Sequence, residues 1–193
     1  AQELVVGDRI LLHLHLADDQ GFRVESRRYP KLHELGSDGL YYTQDQVREI
    51  VAYARDRAIQ IVPEFDMPAH AGSWFVGYPE LASLPGPYAI ERFHGKFDPV
   101  LDPTREEVYT FIDNFIGEMA ALFPGPYFHT GGDEVTGKQW DASPRIQAFM
   151  RARGMKDNRA LQNYFSMRVS EIVRRHGKIM SGYEEVIQPG LPR

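Results

Sequence analysis

Four short apolar stretches alternate with four amphipathic ones along this chain, and that order most narrows what it can fold into. Residues 10–16, 59–65, 127–130 and 178–183 read as strands, each short and apolar and bounded by turn-forming or charged residues. Between and after them run segments with the 3.6-residue period of helices. A strict strand–helix order predicts a parallel sheet covered by helices, the α/β class. The third strand has the weakest pattern of the four.

The helix signals are local and chemical. Thr43 and Gln46 have the spacing of a capping box, and Val47, Ile50, Val51 and Ala54 then make one apolar face. Asp102 before Pro103 is expected to cap a second helix, with Glu106 and Glu107 in its first turn. Its stripe is Val108, Phe111, Ile112, Phe115, Ile116 and Met119. A shorter helix is expected from Ser143 and Pro144, burying Ile146, Phe149 and Met150 and stopping at Gly154. The last begins near Asn158, buries Leu161, Phe165, Val169, Ile172 and Val173, and ends at Arg174, Arg175, His176 and Gly177, where basic residues suit the negative end of the helix dipole.

Composition sets the outer limits. The 193 residues are 42% hydrophobic and 25% charged, which suits one folded domain over residues 1–193. A formal charge of −5 without a basic block argues against a nucleic-acid partner. No run approaches the roughly 18 apolar residues of a membrane span, and residues 1–7 lack the regions of a signal peptide. Cysteine is absent, which removes disulfides, thiolate metal sites and cysteine nucleophiles. Localisation stays open.

In parallel α/β folds the site lies beyond the carboxyl ends of the strands, and every strand here runs into acids. Asp18 and Asp19 follow the first; Glu64, Asp66 and His70 surround the end of the second; Asp133 and Glu134 follow the third; Glu184 and Glu185 follow the fourth. Residues 17–42 and 66–101 form long connections on the same face, as binding loops do. The densest cluster is His129-Thr130-Gly131-Gly132-Asp133-Glu134. Its glycines would let the backbone turn and a ligand approach closely. Two adjacent carboxyls repel each other's charge, so one is expected to keep its proton while its neighbour stays ionised. A Gly-Gly turn carrying two solvated acids fits those residues equally well.

Three motifs in one order decide between these readings. They are Leu12-His13-Leu14-His15-Leu16-Ala17-Asp18-Asp19-Gln20-Gly21-Phe22-Arg23, then Ile61-Val62-Pro63-Glu64-Phe65-Asp66-Met67-Pro68-Ala69-His70, then His129-Thr130-Gly131-Gly132-Asp133-Glu134. Together they resemble the family 20 glycoside hydrolases, the β-N-acetylhexosaminidases. Gly39-Leu40-Tyr41-Tyr42-Thr43 and Gly182-Tyr183-Glu184-Glu185 are similar to that family too.

The resemblance implies a retaining mechanism in which the sugar's own 2-acetamido oxygen attacks the anomeric carbon, an exception to the usual two-carboxylate scheme. It gives Asp133 the task of orienting that acetamido group. Glu134 becomes the acid that protonates the leaving oxygen and later the base that activates water, so Glu134 is the member expected to hold its proton. Asp18 and His70 would form a supporting relay. Tyr183, standing where the family usually has tryptophan, Glu184 and His129 would contact the sugar. Ala69 replaces a usual glycine. No metal or cofactor is implied, and the partner is an amino-sugar oligosaccharide or glycoconjugate.

Other residues carry weaker expectations. Trp74, Tyr78 and Trp140 could wall a sugar site, though packing is the commoner use of such rings. Glu64 and Asp66 read first as structural partners at a strand end. His13 and His15 share one strand face by period two and could be core residues. They also motivate a second reading, a metal-dependent hydrolase on the same barrel class with His70, His129 and Asp133 as further ligands.

The fold implied by the resemblance is a TIM-type (β/α)8 barrel, which needs about 250 residues. Four strand–helix units supply about half of it. Such a half is expected to expose two sheet edges and an apolar inner face, which self-association could cover. A third reading follows from that gap: a sugar-binding fragment without turnover. Export is compatible with the family but no segment of this chain supports it.

Overall fold

The computed structural model describes residues 2–6 and 9–186. Six strands form one sheet: β1 (Gln2–Val6), β2 (Arg9–Asp18), β3 (Gly21–Phe22), β4 (Ile59–Phe65), β5 (Tyr127–His129) and β6 (Ile179–Ser181), in the order β1-β2-β4-β5-β6, with β3 paired to β2. The four strands read from the sequence are β2, β4, β5 and β6, and they are parallel to one another. Consecutive parallel strands joined by helices are the wall of a barrel, of which this chain forms part.

Seven α-helices accompany the sheet: α1 (Lys31–Gly36), α2 (Gln44–Arg55), α3 (Gly72–Gly77), α4 (Glu106–Leu122), α5 (Lys138–Ala142), α6 (Pro144–Ala152) and α7 (Asn158–Arg175). The capping box at Thr43 is present in both directions, with Gln46 N–H bonding Thr43 Oγ1 and Thr43 N–H bonding Gln46 Oε1 at 2.8 Å. Ser143 caps α6 and Asp157 caps α7 through side-chain oxygens. Gly154 and Gly177, just past α6 and α7, have φ of 66° and 72°, the left-handed conformation that stops a helix.

One expected cap is displaced. Arg105, not Asp102, precedes α4, and the Asp102 carboxylate instead closes the turn before it by accepting from the amide and hydroxyl of Thr104. Asp102 is fully buried and pairs with Arg145.

Strand β1 was not legible as a strand. It runs antiparallel to β2, from Gln2 opposite His13 to Val6 opposite Arg9, so the edge of β2 expected to be open is occupied. The inner face also departs from expectation. His15 lies opposite Glu64, Glu64 opposite His129 and His129 opposite Ser181, a polar row instead of an apolar one. Alternate residues turn the other way: Phe65 and Phe128 meet ring to ring at 5.7 Å and Phe65 packs edge-on to Phe115 of α4. The apolar side of the sheet is therefore already covered by helices.

The long connections contain structure of their own. Residues 17–42 hold β3 and α1, and residues 66–101 hold α3 and a 3-10 turn at Pro79–Leu81. Trp74 of α3 is fully buried against Phe22 and Phe115. Trp140 of α5 is fully buried in a second cluster with Ile146, Met150 and Leu161, and donates its indole N–H to Leu101 O at 3.1 Å. Tyr78 packs on Phe111 and Tyr29. All three are packing residues, the commoner of the two uses expected for such rings, and none walls a sugar site. Among the described residues no helix is long and apolar enough to cross a membrane.

Candidate active site

The third strand end delivers the acid pair through a backbone that only glycine permits. Gly131 and Gly132 have φ of 64° and 96°. A Cβ on Gly131 would lie 1.8 Å from Asp66 Oδ1, and one on Gly132 would lie 2.1 Å from a Val186 methyl. The expected turn is there, but the close approach is made by the protein's own Asp66 and Val186. Gly132 N–H donates to Asp66 Oδ1 at 3.0 Å, and Gly132 O accepts from Gln162 at 2.6 Å, which fixes the turn. Glu134 follows at φ 56° and His70 stands at φ 52°. Two non-glycine residues held in the left-handed region mark a site that the surrounding structure over-determines. Ala69 needs no such conformation and sits buried, so its methyl is accommodated.

The predicted supporting residues converge on Glu134. His70 Nε2 lies 3.4 Å from Glu134 Oε2, while His70 Nδ1 lies 3.1 Å from Asp18 Oδ1 and 3.2 Å from Asp19 Oδ2. Burial alone would push the His70 pKa down, but the bonds to Asp18 and Asp19 outweigh it and raise it to about 11. His70 is thus an imidazolium with both nitrogens engaged. Burial would raise Asp18, yet bonds from His15 and His70 hold its carboxyl well below the usual range.

Asp133 lies on the other side of the turn. Asp66, His70 and Asp133 each bring one polar atom within 4.8 Å of the others. Burial raises the Asp133 pKa, and burial followed by the Asp133 charge raises that of Asp66 far more. Asp133 Oδ1 is buried and without a hydrogen-bond partner, an acceptor left open beside the acid. The sequence treated Asp66 as a strand-end structural residue, whereas it stands beside Asp133, whose charge adds to burial in keeping Asp66 protonated.

Glu64 is the other residue that sequence reasoning undervalued. Its carboxylate is fully buried, with His13 Nε2 at 2.8 Å, His15 Nδ1 at 2.7 Å and His129 Nδ1 at 3.2 Å. Burial would raise it, but the three histidines lower it far below the ordinary carboxylate range. The signal lay in strand register, which sets His15 and His129 on either side of Glu64.

Tyr183 stands edge-on to His129 at 4.9 Å between ring centroids and is about a third exposed. Burial, with Glu64 and Asp133 nearby, raises its hydroxyl pKa, so it stays a neutral donor. His129, Tyr183 and the acid turn are thus assembled. Glu184 is not: it lies exposed at the start of the turn Glu184–Val186, and no hydrogen bond or ion pair among the described residues involves it.

A cavity of about 370 Å3 opens at the Asp18–His70–Glu134 contacts, lined by Asp18, Gln20, His70, His94, Lys96 and Glu134. Lys96 Nζ lies 3.1 Å from Glu134 Oε1. No periodicity could have placed that loop lysine. A larger hollow of about 510 Å3 lies by the Pro85–Ala89 turn and shares only Asp19 with this network, so the chemistry belongs to the smaller cavity.

The family model for the glycosyl hydrolase family 20 catalytic domain matches residues 11–191. The chain belongs to that family. A Flavobacterium johnsoniae chitobiase structure is 47% identical, with a TM-score of 0.91 over 94% of this chain and 28% of that one. A Porphyromonas gingivalis β-hexosaminidase is 41% identical over 188 residues, 93% of this chain and 24% of the relative. A Vibrio harveyi exo-β-N-acetylglucosaminidase crystallised with N-acetylglucosamine is 32% identical with a TM-score of 0.79, over 93% of this chain and 31% of that one. The chain therefore spans about a quarter to a third of these family 20 proteins.

Proposed function

We propose that this site belongs to a glycosidase that removes terminal β-linked N-acetylglucosamine or N-acetylgalactosamine with help from the substrate's own acetamido group. The observation that carries the reading is the geometry around the acid turn. One carboxyl, Glu134, faces the cavity with an imidazolium behind it, while the other, Asp133, sits half-buried with a free oxygen. Departure of an alkoxide needs a proton at the moment the bond breaks, and Glu134 is placed to give it. Cyclisation of the acetamido group develops positive charge next to its N–H, and Asp133 is placed to accept that N–H and stabilise the charge. Afterwards Glu134, now a carboxylate beside His70, takes a proton from the attacking water.

Asp66 has a part in this division. Where it keeps the proton of the Asp66–Asp133 pair, Asp133 carries the anion that the acetamido N–H requires. Tyr183 and His129 form the nearest wall on which a sugar ring could rest. N-acetylglucosamine in the Vibrio harveyi relative supports the class of sugar.

The test compares nitrophenyl β-glycosides of N-acetylglucosamine and glucose with the same leaving group. Cleavage confined to the acetamido sugar, and lost in Asp133→Asn, is the expected result. Equal cleavage of both sugars would show that the acetamido group takes no part. Binding of either sugar without any release of nitrophenol would support a sugar-binding role, and zinc bound near one per chain would support the metal-dependent reading.

A further inference from the structure

We infer that Glu64 and His15 are positioning residues for Glu134, two further members of a chain of hydrogen bonds that begins in the floor of the sheet and reaches the acid through the His70–Glu134 ion pair. The contacts run from Glu64 Oε2 to His15 Nδ1 at 2.7 Å, His15 Nε2 to Asp18 Oδ2 at 2.9 Å, Asp18 Oδ1 to His70 Nδ1 at 3.1 Å, and His70 Nε2 to Glu134 Oε2 at 3.4 Å. Carboxyl and imidazole alternate at every step. The role of Glu134 in this inference rests on the glycosidase reading; the chain of contacts does not.

A local irregularity in β2 makes the connection possible. Strict alternation would send His15 and Asp18 to opposite faces of the sheet. Between His15 and Ala17 the register with β4 shifts: His15 pairs with Glu64 and Ala17 with Phe65, leaving Leu16 as the extra residue. A bulge of one residue returns Asp18 to the side of His15. Bulges re-aim side chains in this way beside active sites.

Occupancy makes the chain a coupled unit. Asp18 spends one oxygen on each imidazole, so the His70 bond is made by a carboxylate that His15 already holds. Both nitrogens of both rings are engaged, which fixes their orientation and charge. Glu64 is fully buried, and burying a carboxylate is costly unless it is well paired, so stability alone is a weak reason for it to stand in a strand. His13 and His129 share its charge and pin it from the neighbouring positions. The pKa of His15, lowered by burial but raised more by its bonds to Asp18 and Glu64, ends at about 10, consistent with a doubly bonded imidazolium.

Imidazole nitrogen NMR of this chain tests the inference without turnover. His15 and His70 should both remain protonated at pH 9. In Glu64→Gln the protonation constant of His15 is expected to fall on the order of tenfold, and that of His70 about threefold, although Glu64 does not touch His70. The other groups facing His70, namely Asp19, Asp66 and Asp133, are unchanged by this substitution, as are His13, His129 and Tyr183 around position 64. Should Glu64→Gln not fold, His15→Asn, at a partly exposed position, breaks the same link and should lower the His70 constant by a similar factor. A His70 titration unmoved by either folded variant would overturn the inference. In an active protein, Glu64→Gln should also lower kcat roughly tenfold with KM nearly kept. Absent hydrolysis with His70 still responding would count against the glycosidase reading alone.

Discussion

The two faces of the sheet are built from adjacent residues of the same strands and differ in almost every physical respect. Phe65 and Phe128 turn outward into a dry aromatic cluster with Phe22, Trp74 and Phe115. One residue along, Glu64 and His129 turn inward, where a buried carboxylate meets three imidazoles. Outward burial stabilises through area and close packing, and any ring of the right shape serves. Inward burial costs free energy for every charge and is sustained only by pairing. Stability and chemistry are thereby divided between odd and even positions of one strand.

That division predicts distinct responses to mutation. Phe115→Ala, on the outer side, is expected to destabilise by about 3–5 kcal/mol through the cavity it leaves, with little effect on the titration of His70 in the folded fraction. Urea unfolding with NMR of the same sample checks this; a large change at His70 would show that the faces are coupled. Asp66→Asn removes a carboxyl that burial and Asp133 keep from ionising, so it is expected to stabilise the fold at neutral and alkaline pH. A loss of stability there would mean that the Gly132 bond needs a carboxylate.

The inner face should also govern how stability varies with pH. Asp18 and Glu64 have depressed values, so their contribution is present above the ordinary carboxylate range and is lost as pH falls through those values. His15 and His70 are raised from 6.5 to about 10 and about 11, so theirs is full below 6.5 and is lost as pH climbs through those values. Asp66 and Asp133, both raised, lose stabilisation in the same upward direction. Melting temperature should therefore peak in mildly acidic solution and decline between pH 6.5 and 10, with a shallower decline in His15→Asn. A flat profile over that range would contradict the pairing described. The smallest effect lies far from the site: Thr43→Ala should cost about 1 kcal/mol by removing one arm of the capping box.

What could be read from the sequence follows from how local each signal is. Helix α7, with Asp157 before it and Gly177 beyond it, is specified by neighbours in the chain, and so is strand β4. The acid turn was legible because its glycines and carboxyls are contiguous. Strand β3 and helices α1, α3 and α5 are too short to show a period, and the Gln-Glu-Leu-Val-Val of β1 carries no alternation. Trp74 and Trp140 looked available in loops because only tertiary packing buries them. Glu64 and Asp66 acquire their roles from residues distant in the chain, His15, His129 and Asp133, and from a bulge that no single-strand pattern contains.

Leaving-group dependence of Glu134→Gln tests the acid assignment, on which the proposed chemistry turns. Alkyl glycosides of N-acetylglucosamine need a proton on the departing oxygen, whereas nitrophenyl glycosides depart largely without one. Glu134→Gln is expected to slow the alkyl substrates by about 100-fold or more, and to slow cyclisation of the nitrophenyl substrates far less. Equal losses on both substrate classes would contradict the assignment of Glu134 as the acid.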